Sequence, residues 1–370
     1  MPQAVFILHL DEFKGFVVAK RYPSTFSLNE RLLNLVYMEY TDTPGAGLKL
    51  CNVNDQRIAT FTDESQPGWM VCFVLNYDED IVNNSELLAG MSRLMLILAR
   101  QAPGSMDVGE IIRRKAVIPA PSEEQICAKL LTISSSSLVL EKLQAEGAIR
   151  SRSLETWLRS SIQTDMIDLK EVVLPMMEGG IVKVEFVGRD EKANPPKQGV
   201  ETVFLVKDII GYRVPPVKAL EYCKGIYPNI YPWYRGKVEE FFSGYNPIQE
   251  GTSPVSPVTE DRVRIASIVS DSLNYTVLRY LRERPMTTAE LSSQTMIPGA
   301  LLESKLYALE PARVVSFHET EKVWALISDP VFETFLPEYL LPLIVKKHAQ
   351  GQIDSATVIR FFELLLEAWG

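Results

Sequence analysis

The chain of 370 residues carries 38 lysines and arginines against 47 aspartates and glutamates, a net charge of −9, and 46% of it is apolar. That length fits roughly two or three domains of the usual size, and the apolar content with a mean hydropathy of +0.01 excludes wholesale disorder. An isoelectric point near 5.2 offers no general attraction to phosphate backbones, so nucleic acid is disfavoured as a partner.

The apolar run at residues 4–10 is short, has no basic stretch before it and is followed at once by Asp11 and Glu12, so no targeting segment is expected there. A later run at 94–99 falls far short of the roughly 20 residues a membrane helix needs. The expected location is the cytoplasm, with peripheral attachment at a membrane surface as the most the sequence allows. Cys51, Cys72, Cys127 and Cys223 form no CxxC pair, and reduced, buried thiols are expected. His9, His318 and His348 are too dispersed for a paired-histidine metal site. Neither GxSxG, GxxxxGK[ST] nor GxGxxG occurs, so no cofactor or metal is expected and no hydrolase, P-loop or dinucleotide site is supported.

In chain order, residues 5–10 and 16–20 are apolar runs joined by a turn with Gly15, the pattern of a β-hairpin. A helix follows, capped by Ser27 or Asn29, with Leu28, Leu32, Leu35, Val36 and Met38 as its stripe, until Thr43, Pro44 and Gly45 stop it. Strands are expected at 48–53, 57–62 and 69–75, the last an uninterrupted apolar run suited to a central buried strand that Asp78, Glu79 and Asp80 end. A second helix over 85–100 buries one face through Leu87, Leu88, Met91, Leu94, Met95 and Leu98. His9 reads as a satisfied core residue, and Asp11 and Glu12 as a solvated turn, because adjacent strand residues face opposite ways.

Residues 102–121 are rich in proline and glycine and hold the basic cluster Arg113, Arg114 and Lys115, a solvated connector that could also touch a GTPase or an anionic lipid. Helices are expected at 123–132, 138–146, 154–161 and 168–177, the last ended by Gly179 and Gly180, followed by strands at 181–187 and 202–207 around a loop with Pro195 and Pro196. Tyr222, Tyr227, Tyr231, Trp233 and Tyr234, interleaved with Pro228 and Pro232, read as a packed extended segment or a recognition surface. Residues 246–258, with Pro247, Pro254 and Pro257, form the clearest linker. Beyond it come helices at 263–283, 288–295 and 298–309, a short hairpin of 314–318 with 322–327, and closing helices at 336–347 and 355–369. Three helices and a hairpin have the winged-helix pattern, with 299–309 as recognition helix. Its expected exposed residues, Glu303, Lys305 and Tyr307 beside Glu310, suit protein contacts better than DNA.

The order strand, strand, helix, three strands, helix, together with the turn at 12–15 and the strand end Lys20-Arg21-Tyr22-Pro23, resembles the longin and roadblock domains, which imply dimerisation and contact with small GTPases. Joined to winged-helix-like modules, and with Pro195-Pro196 followed by the stretch 201–208, the whole resembles the nitrogen-permease-regulator-like proteins of the GATOR complex, which acts on Rag-type small GTPases. The fold class expected is α+β: a longin- or roadblock-like α/β sandwich at 1–101, a helical linker at 102–153, an intermediate winged-helix-like domain at 154–245, a linker at 246–260, a second winged-helix domain at 261–330 and a C-terminal helical hairpin at 331–370.

The resemblance implies a small-GTPase-binding regulatory scaffold, part of a GTPase-activating complex, that pairs as a hetero- or homodimer with a longin or roadblock domain. It also implies a finger arginine in the loop before the central strand, where a guanidinium would neutralise charge developing on the γ-phosphate. The matching loop at 62–68 has no arginine, and Gln66 stands about where it would be. Arg57 is the nearest substitute as a catalytic residue, and Gln66, Trp69, Arg113, Arg114, Lys115, Tyr231 and Trp233 are the candidate partner-binding residues. The alternative is a winged-helix transcription regulator that binds DNA and senses a ligand through its N-terminal domain.

Overall fold

The computed structural model describes residues 2–11, 13–27, 33–34, 36, 38, 45–53, 56–76, 81–164, 166–188, 199–245 and 257–370. The protein is a mixed α/β chain with several small antiparallel sheets and 14 α-helices among these residues. No helix among them is long and apolar enough to cross a membrane. The chain forms two compact units: Met1–Ala120 with Arg279–Glu310 and Phe317–Ala325, and Pro121–Leu278 with Pro311–Ser316 and Leu326–Gly370.

The first unit is built on a five-stranded sheet of β1 (Ala4–Asp11), β2 (Gly15–Tyr22), β3 (Gly47–Val53), β4 (Gln56–Thr62) and β5 (Trp69–Leu75), ordered β2-β1-β5-β4-β3 and antiparallel throughout. The turn between β1 and β2 is closed by the Asp11 carboxylate, which accepts from the Phe13 and Lys14 N–H groups, and by Gly15 at φ 70°. β5 lies at the centre, as its unbroken apolar run predicts, with Met70 to Leu75 buried. One sheet face packs Ala4, Phe6, Leu8, Met70, Cys72 and Val74 against Val36, with Leu33 beside it. Of the helix expected near residue 30, the described residues Leu33, Asn34, Val36 and Met38 are helical; Ser27 is exposed and not helical, Gly45 stands at φ 138° just before β3, and Asn29, Thr43 and Pro44 lie outside the described residues, as do Asp78, Glu79 and Asp80.

Helix α1 (Ile81–Gln101) packs on the sheet and is buried on all sides from Leu88 to Ala99 except at Arg93, where the sequence led to one buried face. Its outer side is covered by the following segment, since the Ile118 N–H donates to Gly90 O and a Cβ at Gly90 would fall 2.8 Å from Val117 Cβ. The expected solvated connector is therefore in part a packed element, because Val108, Ile111 and Ile112 of α2 (Val108–Arg114) and Ile118 are buried. Gly109 lets α2 approach β2: a Cβ there would fall 2.6 Å from the Tyr22 ring.

The second unit begins with α3 (Glu123–Thr132), α4 (Ser134–Glu146), the short strand β6 (Ala148–Arg150), α5 (Ser151–Ile162) and α6 (Leu169–Glu178). A capping box between Ser122 and Gln125 starts α3, and Asp168 caps α6. The expected two-stranded wing is a three-stranded sheet: β7 (Val182–Val187) and β8 (Val200–Leu205) are joined by β6, in the order β6-β8-β7. The loop with Pro195 and Pro196 lies outside the described residues. β9 (Asp208–Val214) pairs antiparallel with the far β13 (Asp329–Phe335), a ribbon the sequence did not announce. At its middle, a Cβ on Gly211 would come within 2.4 Å of the Phe332 ring.

The aromatic stretch 222–234 is not extended, because α7 (Val217–Ile226) and α8 (Tyr231–Gly244) run through it and Pro232 sits in the first turn of α8, where its missing N–H costs nothing. Tyr234 is buried and donates to Leu326 O at 2.8 Å. Most of the linker at 246–258 lies outside the described residues, and Pro257 already belongs to α9 (Pro257–Ser270). The single helix expected over 263–283 is broken into α9 and α10 (Ser272–Leu281) at Asp271, whose carboxylate accepts from the Asn274 N–H at 2.8 Å. Arg279–Glu310 and Phe317–Ala325 belong to the first unit: there β10 (Met286–Thr287) pairs with β12 (Val323–Leu326), α11 (Thr288–Thr295) opens on a capping box of Thr287 and Glu290, and α12 (Gly299–Leu309) matches the sequence reading, as does β11 (Val315–His318), before the chain returns to the second unit. Helices α13 (Leu340–Ala349) and α14 (Ser355–Trp369) close the unit, with Phe361 against Phe204 and the Trp369 indole donating to Val206 O.

Candidate functional site

The turn from β4 to β5 is shaped by Asp63, whose carboxylate accepts from the Ser65 N–H at 2.8 Å and its hydroxyl at 2.6 Å, while the Gln66 N–H donates to Asp63 O. Gly68, at φ 77°, lets the chain reverse and accept the Leu10 N–H at 2.7 Å. The turn is thus pinned to the end of β1, and Trp69, the first residue of β5, pairs with His9. Their rings lie 4.6 Å apart, so His9 is a half-buried residue at the sheet end and not the core residue the sequence implied. Beside them Leu10 and Val17 are exposed, and Phe13 at the hairpin tip is 95% exposed.

Topology brings an arginine to this turn that the sequence reading did not consider. Helix α1 follows β5 and runs back along it, so its C-terminal end returns to where β5 begins. There the exposed Arg100 donates from Nη1 to Gln66 Oε1 at 3.1 Å. Arg93, two turns earlier, lies 5.4 Å over the Phe61 ring; burial pulls its pKa down, and the Asp63 charge opposes that. Arg57 lies elsewhere: it is in the first half of β4 opposite Leu75, five residues and therefore about 17 Å of strand from Thr62.

The other expected residues fall in two further places. Arg113 and Arg114 both pair with Glu110, and Arg114 Nη1 also donates to Ser293 O, so much of the charge of this cluster is met locally. Lys115 ends α2 in the left-handed region at φ 53° and is exposed. Arg114 and Asp107 share an open cleft of ≈ 870 Å³ with Thr288, Ser292, Glu303 and Lys322, whose lining holds no histidine or cysteine. Tyr231 and Trp233 belong to the second unit; both are half-buried at the start of α8, and the Trp233 ring lies 6.3 Å from that of Tyr234.

In α12, Glu303 and Tyr307 are exposed as expected, but Lys305 is half-buried, and Tyr307 packs edge-on at 5.1 Å against the buried Trp324. The four cysteines are free and buried, and burial pushes the Cys127 thiol up to about 12 and Cys223 up to about 11. Among the described residues no group of histidine, cysteine or acidic side chains is placed to hold a metal ion. Compared with known proteins, the chain matches no family model, no curated protein and no solved structure.

Proposed function

We propose that this protein is a regulatory scaffold that binds a small GTPase of the Rag type, pairs through its N-terminal sheet with a longin or roadblock domain, and works within a GTPase-activating assembly in the cytoplasm. One observation carries the reading: the first unit runs strand, strand, helical segment, three strands, long helix, folded as one antiparallel sheet with helices on its two faces. That succession is the one on which the longin resemblance rests, and the exposed Phe13, Leu10 and Val17 give its hairpin end an apolar surface for a partner. Regulation follows from binding one nucleotide state of the GTPase more tightly than the other.

If the scaffold also supplies a finger, Arg100 is the residue, in place of Arg57. It lies at the turn the resemblance points to, it is exposed, and among the described residues its guanidinium meets a neutral amide and no carboxylate, so releasing it costs little. The DNA-binding alternative is disfavoured by the exposed Glu303 of α12, which would repel phosphates.

Pull-down of small GTPases loaded with GDP or a GTP analogue, followed by hydrolysis rates for those that bind, tests the reading. State-selective binding supports the scaffold, and an acceleration that Arg100→Ala removes adds the activator role. Binding of duplex DNA with a steep salt dependence, and of no GTPase, overturns both.

A further inference from the structure

In the second unit a cleft of ≈ 770 Å³ opens at the start of α5, lined among others by Arg150, Ser151, Arg152, Trp157 and Glu201. Because α5 follows directly on β6, its N-cap position falls on Arg150, a side chain with no acceptor, and no side chain caps this helix. The first N–H groups of a helix lack intrahelical acceptors and carry partial positive charge, which suits an anion. Ser151, the first helical residue, supplies an independent sign of a missing ligand. It is 8% exposed, and its Oγ is buried with no hydrogen-bond partner. A buried hydroxyl left that way is unfavourable unless an acceptor enters beside it.

The charges around the cleft are mixed. Arg150 and Arg152 are exposed, and Arg152 makes no ion pair among the described residues. Arg150 is shared with Asp354, whose carboxyl is held low first by the Thr357 N–H and to a smaller degree by Arg150. Glu201 lines the cleft and opposes an anion. Trp157 is stacked under Lys142, whose Nζ lies 5.4 Å from the ring centroid, and that ammonium is already paired with Glu146.

We propose that this cleft binds a phosphate-type oxyanion, either free phosphate or a small phosphate ester, held by Arg152, the first amides of α5 and the Ser151 hydroxyl. The site uses none of the residues of the GTPase reading and stands or falls separately from it. Calorimetric titration of the full chain with inorganic phosphate, and separately with adenosine monophosphate, in chloride buffer tests it. Saturable binding is expected, with Arg152→Ala weakening it about tenfold or more. Ser151→Ala should weaken binding several-fold while leaving thermal stability equal or higher, the combination a purely structural serine would not give. Glu201→Gln should tighten phosphate by removing its repulsion. Tighter binding of the nucleotide than of phosphate assigns the ester as ligand, and equal affinities assign the free anion. The absence of saturation by either up to about 10 mM, or affinities that Arg152→Ala and Ser151→Ala leave unchanged, overturns the proposal.

Discussion

Arg100 in the first unit and Arg213 in the second are the same side chain in opposite circumstances. Arg213 is buried on β9, donates from Nε and Nη2 to both Asp261 oxygens at 2.9 and 2.7 Å, and sends Nη1 to Ala312 O and Ser328 Oγ at 3.0 and 2.8 Å. Its guanidinium also lies 5.4 Å from the Phe241 centroid, and Tyr245 donates its hydroxyl to Asp261 at 3.0 Å. Arg100 is exposed and meets one neutral amide. A buried guanidinium survives only when its donors are met, so Arg213 is committed to holding β9, α9 and the segment before β11 together. The Arg100 donors are open to water and to whatever docks at the β4–β5 turn. The contrast separates an arginine that the fold needs from one that the fold merely carries.

The largest effect expected from breaking the contrast is at Arg213. Arg213→Ala leaves Asp261 as a half-buried carboxylate without its partner and two further acceptors unmet, and should cost about 3–5 kcal/mol in denaturant unfolding of the full chain. Arg213→Lys keeps the charge but loses the two-pronged geometry and should recover only part of that. A loss below about 1 kcal/mol for the alanine variant would show that water replaces the network.

Next in size is the β9–β13 ribbon itself. Gly211→Ala places a Cβ about where the Phe332 ring already stands, 2.4 Å from Cε1, so ring or strand must move. The expected cost is about 1–3 kcal/mol, the usual range for overpacking. Phe332→Leu in the same chain should relieve part of it, and the two losses should be non-additive. Strictly additive losses would mean that the crowding is not between these two residues.

A smaller, pH-dependent effect belongs to Asp261. Burial pushes its carboxyl up, but the hydrogen bond and charge of Arg213 outweigh burial and hold it below the ordinary value of 3.8. A carboxyl depressed in the folded state adds stability that is present above its unfolded pKa and is lost as pH falls through the folded one. The stability advantage of the wild type over Asp261→Asn should therefore be full at neutral pH and shrink once the pH drops below about 3.8. An advantage that stays constant down to about pH 2 would mean that Asp261 has the same pKa in the folded and unfolded chain, and so that its pairing with Arg213 does not depress it.

How much of this was legible depends on sequence distance. β1 and β5 could be read as buried strands because both faces of each are covered, so their apolar runs are unbroken. Helix α12 was bounded correctly by Pro298 and the apolar spacing after it. The break at Asp271 had a readable sign, a capping residue inside a long helical stretch, which the apolar periodicity on either side overrode. Helices α7 and α8 were hidden because Pro228 and Pro232 suggested extended chain, although a proline in a first turn is compatible with a helix. The β9–β13 pairing and the Arg213 network join residues that are at least 115 and 48 positions apart respectively, and no local pattern encodes such partners. At the candidate site, Gln66 and Trp69 were placed by the strand they flank. Arg100 was not, because its arrival beside Gln66 follows from the return path of α1 over the sheet and not from any motif.

The smallest expected effect on stability is the most telling for function. Arg100→Ala removes an exposed side chain with one amide partner, so its unfolding free energy should stay within about 0.5 kcal/mol of the wild type. Under the scaffold reading GTPase binding falls and hydrolysis by the bound GTPase is unchanged, since a peripheral contact is lost and no chemistry with it. Under the activator reading binding falls little, but hydrolysis drops by about 10³ or more. Arg57→Ala, at the other end of β4, is the matched control and should move neither quantity. A hydrolysis defect in Arg57→Ala with a normal Arg100→Ala would put the nucleotide at the opposite end of the sheet, away from the β4–β5 turn.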